Sequence, residues 1–261
     1  MVFYRYLSTC LLLLLVWKAL SLALSSTMLP PPEAALMAFA TAITTVDFWR
    51  HFLVSGYRVT CAMALSWIIA FPAGLVLGFS RKTDTLLSPF VFLTYPIPKI
   101  VFLPIFLVIF GLGNFSKIFM IALIIGYQIL VTTRDSVLGL DREYIDSFRS
   151  LGGTVAQTLQ HVVIPAALPQ AFTSLRIGTG TGIAVLFFVE SVATAKGLGF
   201  FIMDSWGRFD NNLMFVGIIG MSLLGVCLYE IVNYLEKRLC AWKFVKTARI
   251  DDRPGHSRSQ K

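Results

Sequence analysis

The chain has 261 residues, of which 56% are hydrophobic and only 14% charged, and its mean hydropathy is +0.76. Soluble domains carry about 25% charged residues, so this composition excludes a disordered chain, a disulfide-rich scaffold and an ordinary nucleic-acid-binding module. It indicates an integral membrane protein with several spans. The net charge of +8 must then be interpreted from where the basic residues lie.

Six apolar segments are long enough to cross a bilayer, which takes about 20 residues each. We therefore predict an all-α, polytopic membrane protein with about six transmembrane helices. Arg5 before the first segment and small residues near its end also fit a cleaved signal peptide, but Lys18 within the segment favours a retained helix. The predicted spans are 7–26, 57–79, 86–110, 116–133, 173–194 and 213–234.

Two segments depart from simple helices. The third span contains Pro89, Pro96, Pro98 and Pro104, and we expect it to be kinked or broken because proline removes backbone donors. Before the second span, the stretch 47–53 predicts an interfacial helix on the outer face.

The basic residues indicate the orientation. With the amino terminus inside, the inner segments carry fifteen Lys and Arg residues and the outer segments five, which predicts that both termini are cytoplasmic. We interpret the basic tail as an orientation signal with some attraction to anionic lipid, rather than as a nucleic-acid arm. The predicted organisation is an amino-terminal helix and outer segment (1–56), a core (57–235) with a cytoplasmic loop (134–172), and the basic tail (236–261).

That cytoplasmic loop is patterned. Tyr144, Phe148 and Leu151 fall on one face of a predicted helix, which Gly152 ends. Thr154 then begins a second amphipathic helix with a predicted capping box to Gln157, and Pro165 is expected to end it. The loop either covers the inner ends of the spans or docks a separate cytoplasmic protein.

The same loop resembles the signature of permease subunits of binding-protein-dependent ABC importers. The matching positions are Asp146-Ser147-Phe148, Gly152 and the segment ending Ile164-Pro165, with the glycine and proline correctly spaced. Asp146, Ser147 and Phe148 depart from the family's Glu-Ala-Ala. Further elements are similar to the nitrate, sulfonate and taurine branch: 49–55, 96–98, 103–104, 110–113, 165–169 and 197–199.

The resemblance implies a MetI-like permease in a prokaryotic inner membrane, without catalytic residues, metal or cofactor. It implies a second permease copy, an extracytoplasmic solute-binding protein, and a cytoplasmic ATPase that binds ATP and couples to Asp146, Ser147, Phe148, Gly152, Ile164 and Pro165. The branch implies a small anion such as nitrate, sulfonate, taurine or bicarbonate as solute. Consistently, the chain has no G-x-x-x-x-G-K-[ST] motif.

Lys99 and Glu190 are ionisable residues placed within predicted spans, where charges are costly and often functional. They predict either a buried Lys99–Glu190 pair or an anion-attracting Lys99 in the solute pathway. We interpret the small residues of 178–182 as helix-packing positions rather than a nucleotide loop.

Two other functions compete with an importer permease. A secondary transporter or channel would show paired half-repeats, and no clear repeat is visible. An intramembrane enzyme would need titratable clusters on facing spans, whereas all three histidines lie outside the predicted spans.

Overall fold

Helices dominate the computed structural model, which describes residues 2–24, 29–192 and 194–243. No strand occurs in these ranges. Of the small residues 21–26 that fit a signal-peptide cleavage site, residues 25 and 26 lie outside the described residues, as does the basic tail beyond residue 243. The α-helices are α1 (Val2–Leu24), α2 (Pro32–Ala42), α3 (Val46–Phe79), α4 (Arg81–Thr94), α5 (Leu103–Phe110), α6 (Asn114–Leu138), α7 (Arg142–Ser150), α8 (Val155–Thr158), α9 (Ile164–Ser191), α10 (Leu198–Gly207) and α11 (Asn211–Leu239).

Four helices are long and apolar enough to span a membrane: α3, α6, the continuous helix Val155–Ser191, and α11. A fifth span forms if the bent pair Arg81–Thr94 and Lys99–Phe110 is counted as one. Helix α1 has 23 residues, and its side chains are described without a gap only from Leu11; the stretch Leu11–Leu24 alone is shorter than a full span. Among the described residues, the structure thus supports four or five spans where the sequence predicted six.

The proline-rich third span is broken, as predicted. Its two halves meet at 83° around Pro96 and Pro98, and a 3₁₀ helix (Lys99–Phe102) leads into α5. Proline cannot donate the hydrogen bonds that would continue α4 through this point.

The predicted interfacial helix is instead the first part of α3. The hydroxyl of Thr45 accepts a hydrogen bond from the backbone N–H of Phe48 at 3.4 Å and caps this helix. Because α3 is one uninterrupted helix from Val46 to Phe79, the segment 47–53 continues directly into the span.

Close packing of α3, α6 and α9 forms the core. A Cβ added at Gly74 or Gly78 would lie 2.7 Å from a carbonyl oxygen of α6, so these glycines let the two backbones approach. On α9, Gly178 and Gly182 are buried against α6, which confirms the predicted packing role of this small-residue stretch.

The first helix is tied to the segment that follows it. The indole N–H of Trp17 donates to the carbonyl of Pro30 at 3.1 Å, and its ring stacks on Phe215. Lys18 forms an ion pair with Glu33 at the start of α2, and this hydrogen bond lowers the pKa of the Glu33 carboxyl.

Candidate functional site

The patterned loop folds into a hairpin of α7 and α8, residues 142–163, which we call the α7–α8 hairpin. Gly152 adopts φ +88°, a left-handed conformation that glycine reaches without Cβ strain, and it ends α7 as predicted. Gly153 lies against Phe148, so close that an added Cβ would be 2.4 Å from the ring. The elbow therefore depends on both glycines, for different reasons.

The predicted capping box is present at the start of α8. The hydroxyl of Thr154 accepts from the backbone N–H of Gln157 at 3.3 Å, and the Gln157 side chain accepts from the backbone N–H of Thr154 at 2.9 Å. Pro165, however, does not end this helix, so that expectation was wrong. The chain runs through a π-helical turn (Leu159–Val163) into α9, where Pro165 occupies the first turn and needs no helical donor.

The hairpin presents apolar side chains to its surroundings. Tyr144 is 61% exposed, Leu151 88% and Val155 61%. Asp146 and Ser147 are also exposed, whereas Phe148 is half-buried beside His161, with ring centroids 6.3 Å apart. Ile164 and Pro165 are half-buried at the base of α9. Four of the six predicted coupling residues therefore lie in the hairpin, and Ile164 and Pro165 follow it at the start of α9. The tip of the hairpin is an exposed apolar surface of the kind that contacts another protein.

Lys99 lies at the break of the third span. Its Nζ donates to the carbonyls of Thr94 at 2.9 Å and Tyr95 at 2.6 Å, at the end of α4. The Thr94 carbonyl also accepts from the backbone N–H of Ile97 at 3.2 Å. The same ammonium group sits 4.1 Å from the ring centroid of Tyr127 on α6. Lys99 thus caps α4 and retains one N–H donor for another group.

Glu190 pairs with Arg58 and not with Lys99, which corrects the ion pair predicted from the sequence. Arg58 Nη1 donates to the Glu190 carboxylate at 2.8 Å, and Arg58 and Glu190 are 4% and 0% exposed. Arg58 Nε also donates to the Asn114 side chain at 2.9 Å. One buried ion pair therefore joins α3, the start of α6 and the end of α9.

The remaining Glu190 contacts hold the turn before α10. The Ser55 hydroxyl donates to the carboxylate at 2.7 Å and accepts from the Leu198 N–H at 2.7 Å. The Gly199 N–H donates to the carboxylate at 2.9 Å. Gly197, at φ +121°, packs so closely that an added Cβ would be 2.4 Å from the carboxyl carbon. We call Ser55, Arg58, Glu190, Gly197 and Gly199 the Glu190 cluster.

Arg58 and Lys117, two of the five basic residues counted with the outer segments, lie at the ends of predicted spans and are buried. Arg58 belongs to the Glu190 cluster, and Lys117 is 0% exposed, with Nζ donating to the carbonyl of Leu112 at 2.7 Å. A signal for Arg58 existed in the sequence, because His51, Ser55 and Arg58 are spaced i, i+4 and i+7 and so share one face of a helix. Because the predicted span begins at Tyr57, it leaves out His51 and Ser55, and the face that they share with Arg58 is not visible in it.

A second ion pair ties the broken span to α6 at the other end of the bundle. Arg134 donates to Asp84 through Nε at 2.5 Å and through Nη2 at 2.9 Å, a two-bond contact that fixes the geometry. Its guanidinium also stacks over Phe92. The start of α4 is therefore anchored, while the break at residues 95–98 is not covered by this contact.

The sequence pattern of the family described as "Binding-protein-dependent transport system inner membrane component" matches residues 70–240. The chain belongs to this family. The match contains the α7–α8 hairpin, Lys99 and Glu190, and it begins after Ser55 and Arg58.

Curated relatives agree with the family. The chain is 30% identical over 237 residues to the taurine transport system permease protein TauC of Escherichia coli (strain K12), covering 88% of this chain and 86% of that protein. It is 28% identical over 219 residues to the putative aliphatic sulfonates transport permease protein SsuC of Bacillus subtilis (strain 168), covering 84% and 79%.

Solved structures show the same fold. A chain of the MetNI methionine ABC transporter, in an inward-facing conformation, matches with TM-score 0.60 and 19% identity over 75% of this chain and 95% of that chain. A bacterial ABC transporter that imports the acidic polysaccharide alginate matches with TM-score 0.60 and 14% identity over 91% and 95%.

The family membership confirms the resemblance and the all-helical, MetI-like permease fold. The protein is a non-enzymatic, multi-pass permease subunit of an ABC importer in the inner membrane. As in the family, it works with an ATPase and a solute-binding protein.

Proposed function

We propose that this permease imports a small sulfonate-type anion and that its ATPase docks on the α7–α8 hairpin. The observation that carries the docking proposal is the exposed apolar tip of the hairpin, Tyr144, Leu151 and Val155, held on a glycine elbow and a capping box. Apolar side chains this exposed outside the spanning helices are stabilised when a partner covers them. The names of the taurine and sulfonate relatives support the solute class.

Co-purification tests the docking site. The chain and its ATPase are co-expressed and isolated in detergent, and the mass of the complex gives the number of permease copies. Leu151→Asp places a charge in the apolar contact and should reduce recovery of the ATPase at least about tenfold, since burying an unpaired charge is costly. The control Leu239→Asp, at the end of α11, should retain it. Equal recovery with both variants would contradict docking at the hairpin tip.

The orientation proposed from the basic residues places both termini and the hairpin in the cytoplasm. A membrane-impermeant maleimide added to intact cells should label Lys196→Cys, which is exposed in the turn after α9, and not Gln160→Cys, which is exposed on the hairpin. Labelling of Gln160→Cys alone would reverse the proposed topology.

A second copy of the chain is proposed to complete the pathway. Helices α4 and α5 turn apolar side chains outward, including Leu93 (75% exposed) and Val108 (86% exposed), so another apolar surface must cover them. We propose that part of this face contacts the second copy and the rest contacts lipid. Lys99, at the break between these helices, is proposed to attract the anion through its remaining donor.

A further inference from the structure

Beneath the hairpin lies a cavity of about 480 Å³, between α7 and the ends of α3 and α6. Arg142, Ile145, Asp146 and Arg149 line it, and their i, i+3, i+4, i+7 spacing places them on one face of α7. Tyr144 lies on α7 outside this lining and is exposed. Arg142, Asp146 and Arg149 are themselves exposed, so the cavity is open to its surroundings, and its charged lining differs from the apolar tip of the hairpin.

Cations outnumber available carboxylates in this cavity. Arg81 from the start of α4 joins Arg142 and Arg149 in the lining, and within the described part of the chain none of these three guanidinium groups forms a hydrogen bond or ion pair. Of the two acidic residues in the lining, Asp84 already accepts two hydrogen bonds from Arg134. Only Asp146 is left to balance three arginines.

We infer that this cavity is a binding site for a phosphate-bearing anion. A guanidinium presents a planar fork of donors that matches phosphate oxygens, and three arginines line this one cavity. The volume falls within the usual range for ligand sites, about 300–1,000 Å³.

The rest of the lining favours a phosphate attached to an acyl chain. Phe79, Val137 and Leu138 come from the ends of spanning helices, and Leu138 is 50% exposed. Basic pockets between helix ends on the cytoplasmic side are sites for anionic lipid headgroups. A free phosphate group would use the same arginines without this apolar wall. The inference is independent of the transported solute.

The binding experiment uses the full chain with its ATPase, stripped of lipid in detergent. Phosphatidylglycerol is titrated and its retention is measured by native mass spectrometry, with phosphatidylcholine as the zwitterionic reference of zero net charge. The wild type should retain phosphatidylglycerol selectively, and Arg81→Gln/Arg149→Gln should bind it at least about tenfold more weakly, because charge-assisted bonds are the strong ones. The control Arg238→Gln, exposed on α11, should bind as the wild type does.

Inorganic phosphate is tested in a second arm, by the rise in thermal midpoint of the same complex. A rise that depends on Arg81 and Arg149, without selective lipid retention, assigns the site to a soluble phosphate. Arg81→Lys, which keeps the charge and loses the fork, should bind with intermediate affinity and serves if the double variant fails to fold. If the wild type and the arginine variants behave alike in both arms, the inference is wrong. Recovery of the ATPase is measured separately, so that a failure of the proposed docking can be distinguished from a failure of phosphate binding.

Discussion

A carboxylate buried at the end of a membrane helix is stable only when its oxygens are bonded. Glu190 meets this requirement through the Arg58 guanidinium, the Ser55 hydroxyl and the Gly199 N–H. Both charges are taken out of water, so their stability depends on each other more than on any surface contact. The cluster fixes the turn before α10 to α3 and α9.

Removal of one partner should therefore be far more damaging than removal of both. Arg58→Met leaves Glu190 buried without its counter-charge and should lower the free energy of unfolding by about 3–5 kcal/mol. Arg58→Met/Glu190→Gln should recover part of this loss. The measurement is denaturant unfolding in detergent.

The matched control is Arg208→Met, which removes an exposed i, i+4 pair with Asp204 and should change stability by about 0–1 kcal/mol. If Arg58→Met is as mild as Arg208→Met, the Glu190 cluster does not hold the bundle together.

The sequence predicts only part of the Glu190 cluster. The sequence shows Glu190 as a costly charge within a span, but the Lys99–Glu190 pair predicted from it is wrong, because the position of a residue along its span does not show which side chain it faces. Arg58 is distant in sequence, and only the packing of α3 on α9 brings it to Glu190. A local sequence pattern shows which residues lie on the same face of one helix. It does not show which other helix packs against that face.

Helix ends and breaks are predicted best where residues close together in the sequence determine them. The Gly152 elbow, the Thr154 capping box and the broken third span depend on residues within a few positions of each other, and all three are confirmed. The prediction that Pro165 ends the second helix of the loop was wrong, because proline disrupts a helix interior but is tolerated in the first turn. Pro165 lies in the first turn of α9, directly after the π-helical turn.

The left-handed conformation of Gly152 can be tested by substitution. Gly152→Val forces a branched residue to φ +88°, and strain of about 1–3 kcal/mol should displace α7 while the spans remain inserted. Vesicles containing the transporter should then show ATP hydrolysis weakly linked to solute uptake. Gly152→Asn is the matched control, because asparagine tolerates this conformation and should keep most of the coupling. Unchanged uptake with Gly152→Val would show that the elbow's shape has no part in coupling.

Taken as a whole, the chain is a bundle with two anchored ends. The Glu190 cluster ties α3, α6 and α9 at one end, and the Arg134–Asp84 pair ties α4 to α6 at the other. Between them, the broken span carries Lys99 at its bend. Composition predicted the membrane class and the prolines predicted a break in the third span, but the angle of 83° between its two halves could be seen only in the structure.

The most direct test of this account is uptake of labelled taurine or an alkanesulfonate into vesicles that contain the permease, its ATPase and the solute-binding protein. Accumulation should require ATP and the binding protein. It should fall with Lys99→Met, because the variant loses the donor proposed to attract the anion together with the contacts of Lys99 to the end of α4. Recovery of the ATPase should stay unchanged, because the α7–α8 hairpin is not altered. Accumulation that proceeds without the ATPase, driven by an ion gradient alone, would contradict the account and indicate a secondary transporter.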